Sequence, residues 1–536
     1  TTATTGYGDA AIVADREANK VLVICVGGSA GYFGSNPSNR ITVNTFLSED
    51  GGLNFSAPRD ITDQIYALDD TWLGLFAGSG RMMQSRYIKV GEYYRIYTAI
   101  SCRATNWNGS VNHVLYSDDF GENWHILGNT TMATAPVAPG DEPKVEELPN
   151  GDVVIAARKN YGRYINIFSY DKNDSTYTKG SWSTQADLGL GNCGGCDGET
   201  YFVYAKKKDT EEYVYLALQS IPTINGRYGV GIFYKELGAS DTTPQAYISG
   251  WGTDKFFMVQ EGRSAYSTFS IQPNGEIAFF YEDSSPDYDM VYVPLTLSEI
   301  TGGDYEMAFT GIGSKSIPYA VTTEAQVEAV TSLYIKEGVS WQFSEECKPW
   351  LKTALEERSQ EAQTVYTDGG VDTERPSAIL LNEKIQEAEA LVGNDTATAE
   401  ALFKLNQELV KAIDEYQALD ELDSELAEVL ARAEALYNSN ELAEDRQAAI
   451  DLKSAIDTAK SEGDTADYAE VYPMITALTA AMEEYEAVAE LAAKLEEKIQ
   501  EAETLLASDK LVSERMETAL LQEAVDQAKL KKTEGT

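Results

Sequence analysis

The sequence predicts an all-β body, a β-propeller, followed by an all-α tail of three-helix bundles. Three observations predict it. Up to about residue 300 the apolar content comes in short β-branched or aromatic runs (11–13, 21–26, 94–100, 153–157, 213–218 and 276–281), punctuated by turns and without a long helical period. Within that half a turn signature recurs, Ser-x-Asp-x-Gly-x-x-(Trp/Phe). From about Thr323 onward the composition shifts to Ala, Glu, Leu and Lys at 3.6-residue spacing, the mark of long amphipathic helices.

The signature stands as Ser48-Glu-Asp50-Gly-Gly52-Leu-Asn-Phe55 and as Ser117-Asp-Asp119-Phe-Gly121-Glu-Asn-Trp124. Ser and Asp side chains bond the turn backbone, Gly accepts a positive φ, and the aromatic is expected to pack beneath. A degenerate third copy begins at Ser169-Tyr-Asp171, with Asn173 in the glycine place. A turn repeated at similar strand intervals implies radial repetition of four-stranded sheets, which is the propeller.

Composition bounds the function classes. At 536 residues the chain is long enough for two to four domains, and 43% apolar content supports real cores. Lys+Arg 42 against Asp+Glu 86 gives a net charge of −44, which argues against nucleic acid and anionic membranes as partners. It favours a secreted or cell-surface protein. No apolar run of about 18 residues exists, so no membrane insertion is expected. Thr1 stands where a translated chain has Met, so an export signal is expected upstream.

Of the five cysteines only Cys193-Gly-Gly-Cys196 has ligand-like spacing, and the sole histidines are His113 and His125. A zinc site needs two further soft ligands nearby, so no metal and no cofactor is expected. The cysteine pair reads as a glycine-rich loop with free thiols or one local disulfide, and the histidines as packing or surface residues.

The stretch 141–158, DEPKVEELPNGDVVIAAR, carries the candidate chemistry. Pro149-Asn150-Gly151 is a turn, Val153, Ile155 and Ala157 alternate along a strand, and Glu142 and Arg158 sit near the outer ends. Alone this is a hairpin with rim charges. Downstream come Arg227 in Asn-Gly-Arg-Tyr-Gly, Tyr266 in Ser-Ala-Tyr-Ser-Thr-Phe, and Glu282 in Phe-Phe-Tyr-Glu.

The two turns and this ordered set resemble the bacterial sialidases (neuraminidases), over roughly residues 8–300. In that family a glutamate is followed sixteen residues later by an arginine, then by a second arginine and, some forty residues on, by a nucleophilic tyrosine. Here Glu142 and Arg158 are sixteen apart, and Tyr266 follows Arg227 by 39. The resemblance implies a six-bladed propeller and retaining exo-α-sialidase activity on sialylated glycans. It implies Tyr266 as nucleophile, Glu142 as its base, Arg158 and Arg227 as substrate-binding residues, and Glu282 as the carboxylate that steadies an arginine.

The chemistry suits those residue types. A sialic acid carries a carboxylate on its anomeric carbon, which planar guanidinium forks recognise by bidentate, charge-assisted bonds. That carboxylate would repel an anionic nucleophile. A neutral tyrosine avoids the repulsion, but its pKa near 10 demands a base.

The chain departs from the family pattern in lacking an Arg-Ile-Pro first arginine and an assignable aspartate general acid; Arg40 is not in that context. The expectation is an N-terminally truncated chain with the first blade largely missing. Tyr32, Phe33 and Trp107 read either as pocket walls or as core. Three other readings remain: a non-catalytic sialoglycan-binding propeller, which needs neither Tyr266 nor Glu142, transfer to another acceptor on the same fold, and a different propeller acting on neutral glycans, for which two carboxylate-reading arginines would have no use.

In the helical half, Ala433-Glu-Ala-Leu436 recurs as Ala502-Glu-Thr-Leu505, and Glu415-Tyr416 as Glu484-Tyr485, both offset by 69 residues. Each period reads as three helices, about 422–438, 442–461 and 466–487, with Leu426, Val429, Leu430, Ala433 and Leu436 as one apolar stripe. The expected divisions are a partial propeller over 1–300, a transition over 301–345, and helical repeats over 346–420, 421–488 and an incomplete 489–536. These units resemble the helical repeats of secreted, cell-wall-associated bacterial enzymes, and read as an acidic spacer holding the propeller off a cell surface, or as a glycan- or protein-binding module.

Overall fold

The computed structural model describes residues 6–508 and 516–534, apart from 105–108, 172–173, 175, 191–194, 284–287, 333–338 and 464. The chain divides into two compact units, Thr1–Lys348 and Pro349–Thr536.

The first unit is a β-propeller. Its first sheet is an antiparallel meander of β1 (Tyr7–Ala14), β2 (Val21–Gly27), β3 (Thr42–Ser48) and β4 (Arg59–Asp60). The second contains β5 (Trp72–Ala77), β7 (Met83–Val90), β8 (Tyr93–Ala104), β9 (Val111–Ser117) and β10 (His125–Ile126), while the intervening β6 (Gly80–Arg81) pairs in parallel with β1 of the first. The third holds β11 (Pro143–Glu147), β12 (Val153–Lys159), β13 (Gly162–Tyr170), β14 (Gly180–Trp182) and β15 (Ala186–Gly189). The fourth holds β16 (Thr200–Lys207), β17 (Tyr213–Ile224), β18 (Tyr228–Leu237) and β19 (Phe256–Arg263). The fifth is β20 (Ser267–Ile271), β21 (Ile277–Asp283) and β22 (Asp289–Leu295), with Pro294 tolerated because β22 is an edge strand.

Five propeller sheets are therefore present among the described residues, against the six blades that the resemblance implies. The first of these is a four-stranded meander. The inner edge between first and fifth sheets is bridged by β6: a side chain at Gly80 would meet Thr268 of β20.

Strands buried on both faces read as continuous apolar runs, and β12 shows this, with Val153 to Ala157 fully buried between neighbouring sheets. The two Ser-x-Asp turns have the same bonding. Ser48 and Ser117 hydroxyls each donate to the following Asp50 and Asp119 (2.8 Å) and accept from Gly52 and Gly121 N–H (2.9 and 2.8 Å). Their aromatics differ: Trp124 is 2% exposed, as expected, but Phe55 is 43% exposed. In the degenerate copy Asn173 lies outside the described residues, and Asp174, not Asp171, accepts the N–H groups of Thr176, Thr178 and Lys179.

Residues 301–345, expected as a transition, belong to the first unit. β23 (Tyr305–Met307) extends the fourth sheet beside β16, and β24 (Tyr319–Val321) pairs in parallel with β25 (Trp341–Phe343). Four short helices, α1 (Thr62–Tyr66), α2 (Pro244–Ile248), α3 (Leu297–Ile300) and α4 (Glu324–Thr331), complete the unit. Cys193 and Trp107 lie outside the described residues. His113 is buried, with Nδ1 2.8 Å from Thr130 Oγ1, and burial lowers its pKa to about 4; His125 is exposed.

The second unit comprises α5 (Lys348–Asp368), α6 (Pro376–Val392), α7 (Ala399–Tyr437), α8 (Gln447–Glu462), α9 (Tyr468–Leu506) and α10 (Met516–Glu534). The expected helix start near 422 and end near 487 are not there, because α7 and α9 each run unbroken for 39 residues. Gln417-Ala-Leu-Asp-Glu-Leu422 contains no Gly, Pro or cap that would stop a helix. The first half of α7 packs with α5 and α6, through Asn406 to the Ala354 carbonyl (3.3 Å) and Lys384 to Glu408 (2.8 Å). Buried Tyr416 and Tyr485, 69 residues apart, each tie a long helix to a preceding loop or helix end: Tyr416 donates to the Tyr366 carbonyl (3.5 Å) and Tyr485 accepts from Leu442 N–H (3.1 Å). Among the described residues no helix is long and apolar enough to cross a membrane.

Candidate active site

The site begins with the register of one hairpin. Pro143 pairs with Ala157 and Glu147 with Val153, so Glu142 and Arg158, each eight residues from Asn150, face each other at the open end. Arg158 N–H donates to the Glu142 carbonyl (2.9 Å). The turn is held by Gly151 at φ +91°, whose N–H reaches the Leu148 carbonyl (2.8 Å). The sixteen-residue spacing is thus a cross-strand contact, and the side chains use it: Arg158 Nη1 lies 2.5 Å from Glu142 Oε2.

Tyr266, immediately before β20, is brought to this pair from the fifth sheet. Its hydroxyl donates to Glu142 Oε1, and Arg158 Nη1 lies 3.3 Å from the same hydroxyl. Arg227 sits at φ +65° in the three-residue loop between β17 and β18, following Gly226 at +85°. The turn places its guanidinium carbon 5.3 Å from the centre of the Tyr266 ring. Among the described residues no carboxylate pairs with Arg227.

Glu282 occupies another position than expected. Its Oε2 accepts from the Tyr266 backbone N–H (3.4 Å), and the backbones of the two residues bond through Glu282 N–H to the Tyr266 carbonyl (2.9 Å). No arginine pairs with it among the described residues.

Three carboxylates that sequence reasoning did not single out complete the electrostatics. Asp141 Oδ2 is 3.7 Å from Arg158 Nε. Asp9, in β1 at φ +50°, and Asp141 both have raised pKa values, first from desolvation and next from the Glu142 charge. Burial also raises Asp197, opposed by Lys144 at 3.1 Å. Only the strand alternation could have flagged the layer beneath: period two puts Glu142, just before β11, on the same face as Lys144 and Glu146. Below the site that face continues as a buried ion network, with Glu146 2.7 Å from Arg81 and 3.0 Å from Arg86.

The Tyr266 phenol is pushed well above its usual value, first by burial, then by the Glu142 charge and hydrogen bond, with Arg158 opposing. It rests as a neutral hydroxyl whose proton already points at a carboxylate. Tyr32 donates to or accepts from Ser110 Oγ (2.8 Å), and Phe33 is 85% exposed. A cavity of about 690 Å³ lies elsewhere, lined by residues of the first, second, fourth and fifth sheets.

No protein-family model matches the chain. Among solved structures it is similar to the Hadza microbial sialidase Hz136 (19% identity, 55% of this chain and 53% of that one, TM-score 0.42). It is also similar to the intramolecular trans-sialidase from Ruminococcus gnavus in complex with oseltamivir carboxylate (14% identity, 56% and 79%, TM-score 0.42). A third is the GH43 endo-arabinanase from Bacillus licheniformis (14% identity, 53% and 92%, TM-score 0.32). The chain spans about half the length of Hz136. Likeness of this degree carries no argument about activity, which rests on the residues themselves.

Proposed function

We propose that the chain carries the active site of a retaining exo-α-sialidase acting on sialylated glycoproteins, glycolipids or oligosaccharides outside the cell. The observation that supports this reading best is the Tyr266 hydroxyl donating to Glu142 while Arg158 lies within reach of both. In the proposed step Tyr266 Oη bonds to the anomeric carbon and its proton passes to Glu142. The glycosidic C–O bond breaks and its electron pair leaves with the aglycone oxygen. Water then attacks the same carbon, the bond to Tyr266 breaks, and Glu142 returns its proton to the phenol oxygen, while the proton lost by water balances the aglycone.

Arg227, with no carboxylate partner among the described residues, is the guanidinium available to the substrate carboxylate, with Arg158 as the second. A sialoglycan-binding propeller would use the arginines but has no use for a phenol bonded to a carboxylate. The helical unit is proposed as a spacer.

The test is release of a fluorescent phenol from an aryl α-sialoside, a leaving group that depends little on a general acid. Turnover that falls at least about a thousandfold in Tyr266→Phe is expected. Full turnover in that variant, or saturable sialic acid binding with no turnover in the parent, would overturn the reading.

A further inference from the structure

The end of the propeller remote from Tyr266 contains a second enclosed space. The β11–β12 turn lines it with Glu147, Leu148 and Pro149, whereas Glu142 and Arg158 lie at the hairpin's other end. Five residues of strand separate the two, about 17 Å. Its volume is about 350 Å³, within the usual range for a small-ligand pocket.

Two aromatic walls face it. Tyr204 and Tyr215, paired across β16 and β17, have ring centres 4.5 Å apart, and Tyr319 and Trp341, paired across β24 and β25, have theirs 5.3 Å apart. The hydroxyls of Tyr204, Tyr215 and Tyr319 have no hydrogen-bond partner among the described residues.

The charged groups on the cavity wall are already satisfied. Glu147 accepts from Ser85 Oγ (2.6 Å) and Arg86 N–H (2.7 Å). Arg86 is 3.0 Å from Glu146, and Asp241 is 3.1 Å from Lys235. A charged ligand would therefore bury its charge at a cost that no uncommitted group among the described residues offsets.

We propose that this cavity is a binding site for a neutral pyranose ring, separate from the Tyr266 site. Aromatic faces cover the apolar C–H faces of such a ring, and uncommitted phenol hydroxyls meet its edge hydroxyls. A flat hydrocarbon would leave those hydroxyls unanswered, and an anionic sugar would find no free cation among the described residues.

The test titrates the full chain with methyl β-D-galactopyranoside by calorimetry. The same titration follows for Ala239→Trp, which fills the exposed rim, and for Tyr215→Phe, which removes one hydroxyl; aryl-sialoside turnover reports on the Tyr266 site in each. Saturable binding is expected in the parent, weakened at least about tenfold in both variants with turnover unchanged. Absence of saturable binding, binding that survives both substitutions, or competition by free sialic acid would each overturn the proposal.

Discussion

The Tyr266 hydroxyl donates to the Glu142 carboxylate across 124 residues of sequence, with Arg158 bonded to the same carboxylate. Glu142 is only 7% exposed, so its two oxygens are committed to one phenol and one guanidinium. Glu142→Gln keeps the shape and removes the proton acceptor. The aryl-sialoside kcat is expected to fall about 10²- to 10⁴-fold with KM changed little, which steady-state kinetics would check.

The two arginines should separate kinetically. Arg227 stacks on the Tyr266 ring and has no carboxylate partner among the described residues, so Arg227→Ala is expected to raise KM about 10- to 100-fold while keeping most of kcat. Arg158 also holds Glu142, so Arg158→Ala is expected to depress kcat as well. Equal effects from both substitutions would count against the division.

Buried His113 gives a pH test of the propeller. Its pKa falls from 6.5 to about 4 in the folded state, so the unfolded chain binds the extra proton between those values and stability declines as pH drops through that window. The loss approaches about 3 kcal/mol at pH 4. Relative to the parent, His113→Asn should gain stability steadily from pH 7 to pH 4, measured by urea denaturation at each pH.

The two equivalent turns carry unequal loads. Trp124 is buried and Phe55 is not, so Trp124→Ala is expected to cost about 3–5 kcal/mol and Phe55→Ala under about 1 kcal/mol in the same denaturation assay.

These residues show what was legible. The Ser-x-Asp turns reported the hairpins because their bonding is local, but whether an aromatic is covered depends on a neighbouring sheet, which is why Phe55 differed from Trp124. Glu142 and Arg158 were legible as a pair since hairpin register is fixed by the turn at Asn150. Their meeting with Tyr266 came only through the family resemblance, and the partners of Glu282 and the nearby carboxylates Asp9, Asp141 and Asp197 depend on which sheets converge. The helical half was legible as helix and as a 69-residue period. Its boundaries were not, since an interior such as 417–422 carries no stop signal and α7 runs straight through it.

The central claim is that Tyr266 forms a bond to the sugar. Its most direct measurement is mass spectrometry of the intact chain and its peptides after reaction with a 3-fluorosialyl fluoride, whose ring fluorine slows hydrolysis of a glycosyl-enzyme. The account expects one added fluorosialyl group, mapped to the peptide containing Tyr266 and absent from Tyr266→Phe. An adduct on another residue, or steady turnover of aryl sialoside by Tyr266→Phe, would contradict it.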